Sequence, residues 1–107
     1  MTDEKDVVGN EVYPLPVFVY GRSGCEGTQA LRERLNELQV SFVELNVDED
    51  EEAADYVRGV NQGEIRTPTV VFGNDEMVLV EPEKDVLDRA LEEAGYQVNV
   101  GGIEAFT

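Results

Sequence analysis

Strand-like and helix-like apolar patterns follow one another along residues 16–95 in the order β-α-β-α-β-β-α, and that order constrains the fold more than any other feature of the chain. Pro16-Val-Phe-Val-Tyr20 reads as a short, fully buried strand, β-branched, aromatic and bounded by turn residues. From Cys25 or Glu26 to Gln39, Ala30, Leu31, Leu35 and Leu38 recur at helical spacing, with Arg32, Glu33, Arg34 and Glu37 on the other face. Residues 41–47 alternate Phe42 and Glu44 against Val43, Leu45 and Val47, which predicts a second strand. Strand, helix, strand in that order implies a right-handed parallel crossover.

The acidic run DEDEEAAD (48–55) has the composition of a disordered tail, yet Ala53, Ala54, Val57 and Val60 continue at helical intervals. Acids at a helix start suit its dipole, so a helix is expected over 50–60, ended by Asn61-Gln62-Gly63. Thr69-Val-Val-Phe72 and Met77-Val-Leu-Val80 flank Gly73-Asn74-Asp75, a hairpin signal. Pro82 at a first helical position, Glu83 and Asp85 in the first turn, and Val86, Leu87, Ala90, Leu91 and Ala94 ahead of Gly95 predict a third helix over 83–94. The expectation is one α/β domain at 15–95, a four-stranded mixed sheet with helices on both faces. A polar arm (1–14) precedes it, and a tail of weak strand character (96–107) follows.

Composition narrows the function. A chain of 107 residues suits one compact domain. It carries 24 Asp plus Glu against 8 Lys plus Arg, a net charge of −16, which would repel phosphate backbones and argues against nucleic acid and anionic membranes. The acidity otherwise reads as solvation of the surface. No apolar run approaches a membrane span, and the start MTDEKDVVGNEVYPLP lacks the basic residues and long apolar stretch of a secretion signal, so a cytoplasmic location is expected. Without His there is no imidazole catalysis. The single cysteine, Cys25, rules out an internal disulfide and a structural Cys-rich zinc site.

Cys25 is placed to be reactive. The thiolate is the nucleophile, and free cysteine titrates near 8.5, so a working site must favour the anion. At the start of the first helix the sulfur faces unpaired amides of Gly27, Thr28 and their neighbours and the positive end of the dipole. The Thr28 hydroxyl can be aimed at it, Arg22 is the nearest cation in sequence, and Glu26 opposes ionisation. A lone cysteine is ordinarily a small buried hydrophobe. Here Gly21, Arg22, Ser23, Gly24, Glu26 and Gly27 surround it and are not core material, so an exposed thiol with a lowered pKa is expected.

Tyr20-Gly-Arg-Ser-Gly-Cys-Glu-Gly-Thr28, taken with the element order, resembles the active-site segment of glutaredoxins and the related mycoredoxins of the thioredoxin superfamily, over about residues 16–95. The resemblance implies a thioredoxin-like fold. It implies that Cys25 is catalytic, with Thr28 and Arg22 beside it, Arg22 matching the family's basic residue that meets the carboxylate of a thiol tripeptide. Arg66-Thr67-Pro68-Thr69-Val-Val-Phe72 resembles the segment with the family's cis-proline, which would make Pro68 cis and set it beside Cys25. Thr67 would then offer its backbone to an extended thiol substrate as an added strand. Val60-Asn-Gln-Gly63 also resembles mycoredoxins. Tyr20, Thr67, Pro68 and Asp85, or Glu83 at the same helix start, are the implied substrate-binding residues, although helix capping is the plainer role of the two acids.

Three departures from the family pattern shape the reading. Cys25-Glu26-Gly27-Thr28 lacks a second cysteine, so a mixed disulfide cannot be resolved internally. Gly27 offers no ring to pack on a ligand. Val80-Glu81-Pro82 replaces the family's Gly-Gly and adds an acid where an anionic tripeptide would bind. The leading expectation is a monomeric, monothiol glutaredoxin-like oxidoreductase. Its cosubstrate would be glutathione or another low-molecular-weight thiol, and its clients protein mixed disulfides. An iron-sulfur cluster carrier, with two chains each giving one cysteine, and a non-catalytic thioredoxin-fold binding module stand as alternatives.

Overall fold

The computed structural model describes residues 14–98. Along them run β1 (Val17–Gly21), α1 (Glu26–Glu37), β2 (Val43–Asn46), α2 (Glu51–Val60), β3 (Thr69–Phe72), β4 (Met77–Val80) and α3 (Lys84–Glu93). The strands form one mixed sheet in the order β2-β1-β3-β4. β1 pairs in parallel with β2, Tyr20 opposite Leu45, and antiparallel with β3, Tyr20 opposite Thr69. β3 and β4 close the hairpin across Gly73–Glu76, with Gly73 and Asp75 at positive φ. The α/β class and the thioredoxin-like architecture expected from the sequence are therefore present. The arm at 1–14 lies almost wholly outside the described residues, as does the tail beyond Val98; Tyr96 to Val98 form no strand.

Two apolar layers sandwich the sheet. On one face Val17, Val19, Val70 and Phe72 meet Leu31 and Leu35 of α1 and Leu87, Ala90 and Leu91 of α3. On the other, Tyr20, Leu45, Val47 and Ile65 meet Ala53, Ala54, Tyr56 and Val57 of α2. This asymmetry corrects the fully buried first strand: Val17, Val19 and Gly21 are buried, but Phe18 and Tyr20 face a side covered by a single helix and stay half-buried.

The helix ends follow their local chemistry. Asp50 caps α2, its carboxylate accepting from the amides of Glu52 and Ala53 at 3.0 and 3.2 Å. At α3 the expected proline start is displaced. Pro82 lies two residues before the helix, and Glu83 is the N-cap but makes no side-chain cap bond. Asp85 instead accepts from the amide of Val86 at 3.0 Å, satisfying one orphan donor of the first turn.

One charge on α1 is not on the solvent face. Arg34 is only 8% exposed, and its guanidinium forks onto Asp88 of α3 at 3.1 and 2.7 Å and reaches Glu37 at 2.8 Å. Position 34 lies between Leu31 and Leu35 on the apolar stripe, so α3 covers it and must supply a counter-charge. Ala30, expected on the buried face, is exposed.

Beyond α3 the chain is tied back to the start of β1. The Leu15 amide donates to the Ala94 carbonyl at 2.9 Å, and the Tyr96 hydroxyl donates to the Leu15 carbonyl at 2.6 Å.

Candidate functional site

Cys25 sits where β1 hands over to α1 and is the N-cap residue of that helix. Gly24 at φ 81° makes the turn, and the Cys25 amide donates to the Arg22 carbonyl at 3.2 Å. The cap bond is made by sulfur: Sγ accepts from the Thr28 amide at 3.4 Å. From the facing loop, the Thr67 hydroxyl donates to Sγ at 3.3 Å, and the thiol lies 3.6 Å from the Thr67 carbonyl as its acceptor. The Thr67–Pro68 peptide bond is cis.

These donors hold the Cys25 thiol below its ordinary pKa. The hydroxyls of Thr28 and Thr67 act most strongly, partial burial opposes them, and the amides of Thr28 and Gly27 add to the lowering. The Thr28 hydroxyl is close to the sulfur but makes no hydrogen bond of good geometry, and it is buried without another partner. The hydrogen bonds of good geometry are therefore those of the Thr67 hydroxyl and the Thr28 amide. The Thr67 hydroxyl was not foreseen; only its backbone was singled out in the sequence, because 42 residues separate it from Cys25.

Space behind the helix start is tight. A Cβ on Gly21 would collide with the Thr28 side chain, and one on Gly27 would lie 3.0 Å from Pro68 Cδ and 3.9 Å from Sγ. Gly27 thus lets the proline ring lie against the helix start beside the sulfur.

A groove of about 500 Å³ leads from Cys25 between α1 and α3. Gly27, Ala30, Leu31, Pro68, Pro82 and Leu87 give it an apolar lining, and Arg34, Glu81 and Lys84 give it charge. The structure brings Cys25, Thr67 and Pro68 together here, with Thr28 buried just behind. Glu83 and Asp85, although at the start of α3, do not line it, whereas Lys84 does. Tyr20 lies on the α2 side of the sheet, its ring stacked on Tyr56 at 4.9 Å between centroids, and Tyr56 donates to Asp75 at 2.6 Å.

The arginines around the sulfur are already engaged. Arg22 forks onto Asp48, Nη2 to Oδ1 at 2.9 Å and Nε to Oδ2 at 3.2 Å. Asp48 is the main cause of its raised pKa, and the nearby sulfur is the least. The expected stabilisation of the thiolate by Arg22 is therefore replaced by that of hydroxyls and amides. Arg66, next to Thr67, donates to Glu81 at 2.9 Å. Among the described residues, no grouping of three or more His, Cys, Asp or Glu side chains could hold a metal ion, and no helix is long and apolar enough to cross a membrane.

A free cysteine at a helix start, facing a cis X-Pro turn on a four-stranded mixed sheet, defines a thioredoxin-like thiol protein. The glutaredoxin family model matches residues 17–78, more than half of the chain, and the protein belongs to the glutaredoxin family. Among solved structures it is similar to a mutant form of the thioredoxin-like protein BC3987, at 25% identity and a TM-score of 0.63 over 71% of this chain and 94% of that one. It is similar also to the glutaredoxin grx-1 from Archaeoglobus fulgidus, at 22% identity and a TM-score of 0.57 over 81% of this chain and 96% of that one. The second likeness bears on the fold alone. No curated protein matches the chain significantly. Family membership supports thiol-disulfide oxidoreductase chemistry in general, with glutathione-like thiols as cosubstrates.

Proposed function

We propose that the protein is a monothiol oxidoreductase acting on mixed disulfides between proteins and a low-molecular-weight thiol. The observation that carries this reading is the single cysteine at the helix start, its sulfur accepting from the Thr28 amide and the Thr67 hydroxyl at the mouth of an open groove.

The Cys25 thiolate attacks the small-thiol sulfur of the mixed disulfide. A new S–S bond forms to Cys25, the original S–S bond breaks, and its electron pair leaves on the client sulfur, which takes a proton from water. Cys25 is now oxidised, as the adduct, and the client is reduced. With no second cysteine to resolve the adduct, a second small thiol attacks its outer sulfur, giving a small-molecule disulfide and regenerating the Cys25 thiolate.

Thr67 and the Thr28 amide hold the sulfur in its ionised form and fix its direction. The backbone at Thr67 and the face of Pro68 receive the substrate chain, and Arg22 positions the loop through its carbonyl rather than binding ligand. Glu83 and Asp85 mark the outer rim beyond Lys84, and Tyr20 supports the sheet from its far side.

Incubation with bis(2-hydroxyethyl) disulfide followed by intact-mass analysis tests the first step. One adduct is expected on the wild type and none on Cys25→Ser. Release of the adduct by added small thiol, with repeated turnover, tests the second. Failure of the wild type to take up any small disulfide would overturn the proposal.

A further inference from the structure

We propose, resting on the exchange reading above, that Asp48 and Glu81 determine specificity by charge. They cancel the two arginines that flank Cys25, so that the site accepts neutral or cationic thiol partners and turns away carboxylate-bearing ones. Arg22 and Arg66 bracket the sulfur. The first gives its carbonyl to the Cys25 amide, and the second precedes Thr67, which touches Sγ twice. Each is ion-paired, with Asp48 at 2.9 Å and with Glu81 at 2.9 Å.

Of the cations deeper in the groove, Arg34 is buried and fully engaged, while Lys84 is mostly exposed. Arg34 holds Asp88 and Glu37, and the Lys84 ammonium lies 3.8 Å from Asp88. Glu26, Glu83 and Asp85 are exposed nearby. The lining between them is apolar.

The pairs at Arg22 and Arg66 are solvent-exposed, and such pairs are individually weak, so a ligand carboxylate could compete for either guanidinium. Displacement nevertheless leaves Asp48 or Glu81 unpaired within a few ångströms of the incoming anion, and the repulsion offsets the new bond. A neutral or cationic partner meets no such conflict, and a cationic one also gains from the negative field of a chain with net charge −16.

Three symmetric disulfides of graded charge test this: cystamine (cationic), bis(2-hydroxyethyl) disulfide (neutral) and glutathione disulfide (anionic). Each rate of adduct formation at Cys25 is divided by that of a small free cysteine peptide, which removes leaving-group differences. At about 0.01 M salt, where the screening length is ~30 Å, the normalised rate should fall by about tenfold or more from cystamine to glutathione disulfide. At about 1 M salt, where it is ~3 Å, the spread should nearly vanish.

Asp48→Asn and Glu81→Gln separate the local charges from the overall field. Each should raise the glutathione disulfide rate relative to the neutral disulfide by about threefold, the size expected when an exposed charge pair is undone. Glutathione disulfide reacting as fast as the neutral disulfide at low salt, or ratios unmoved by both variants, would overturn the proposal while leaving thiol exchange intact. No adduct with any of the three would overturn exchange itself and this specificity with it.

Discussion

Thr67 meets the Cys25 sulfur twice, its hydroxyl donating to Sγ at 3.3 Å while its carbonyl oxygen lies 3.6 Å away as an acceptor for the thiol proton. Loss of that proton removes the contact to the carbonyl and leaves only donors, from the Thr67 hydroxyl and the Thr28 amide, pointing at an anion. The same residue therefore accommodates both protonation states and favours the ionised one.

Alkylation of Cys25 as a function of pH should accordingly show a midpoint below about 8.5, the value for free cysteine. Thr67→Val should move it upward. Thr28→Val should also move it upward while leaving the fold as stable as before or more so, because it removes a buried hydroxyl without a good partner. A wild-type midpoint at or above 8.5 would contradict the account.

Stability should carry the same signature. The folded-state pKa of Cys25 lies below that of the unfolded chain, so its contribution is fully present above about 8.5 and is lost as pH falls through the folded value. The wild type should thus gain stability relative to Cys25→Ser as pH rises towards about 9, then level off. Urea unfolding of both proteins at a series of pH values checks the sign.

Gly21 and Gly27 should differ in what they cost. Gly21→Ala forces a methyl group into the Thr28 side chain and should destabilise by about 1–3 kcal/mol. Gly27→Ala gains helix propensity of up to about 1 kcal/mol, yet crowds Pro68 at 3.0 Å. Its denaturation midpoint should change little while adduct formation slows. An unslowed Gly27→Ala would mean that the proline ring does not need to lie so close.

The Arg34–Asp88 pair joins α1 to α3 under the groove. Asp88→Ala leaves a guanidinium that is only 8% exposed with the exposed Glu37 as its remaining partner and should cost about 3 kcal/mol in urea unfolding. Replacing both partners, as Arg34→Met with Asp88→Leu, should cost less than the single change.

Most of the fold was legible because its signals are local. Periodicity marked every strand and helix, and the 73–75 turn and the acids at 50–52 marked the hairpin and α2. Sidedness was harder to read. A five-residue apolar run looks the same whether two helices or one will cover a face, so the half-exposure of Phe18 and Tyr20 went unforeseen.

The position of Cys25 at a helix cap was likewise readable from the Gly-rich turn before it. What surrounds the sulfur was not, because Arg22 finds Asp48 across 26 positions and Arg34 finds Asp88 across 54. A guanidinium on the apolar stripe between Leu31 and Leu35 was the one sign that a buried ion pair would form.

The tie between Tyr96 and Leu15 has a geometric consequence. Leu15 stands before β1 and Cys25 after it, and six extended residues put the two about 20 Å apart, at opposite poles of the sheet. Leu15, Ala94 and Tyr96, tied to one another, thus share the pole remote from the sulfur. The knot that fastens the two ends of the described fold therefore lies away from the mouth through which a disulfide reaches the thiol.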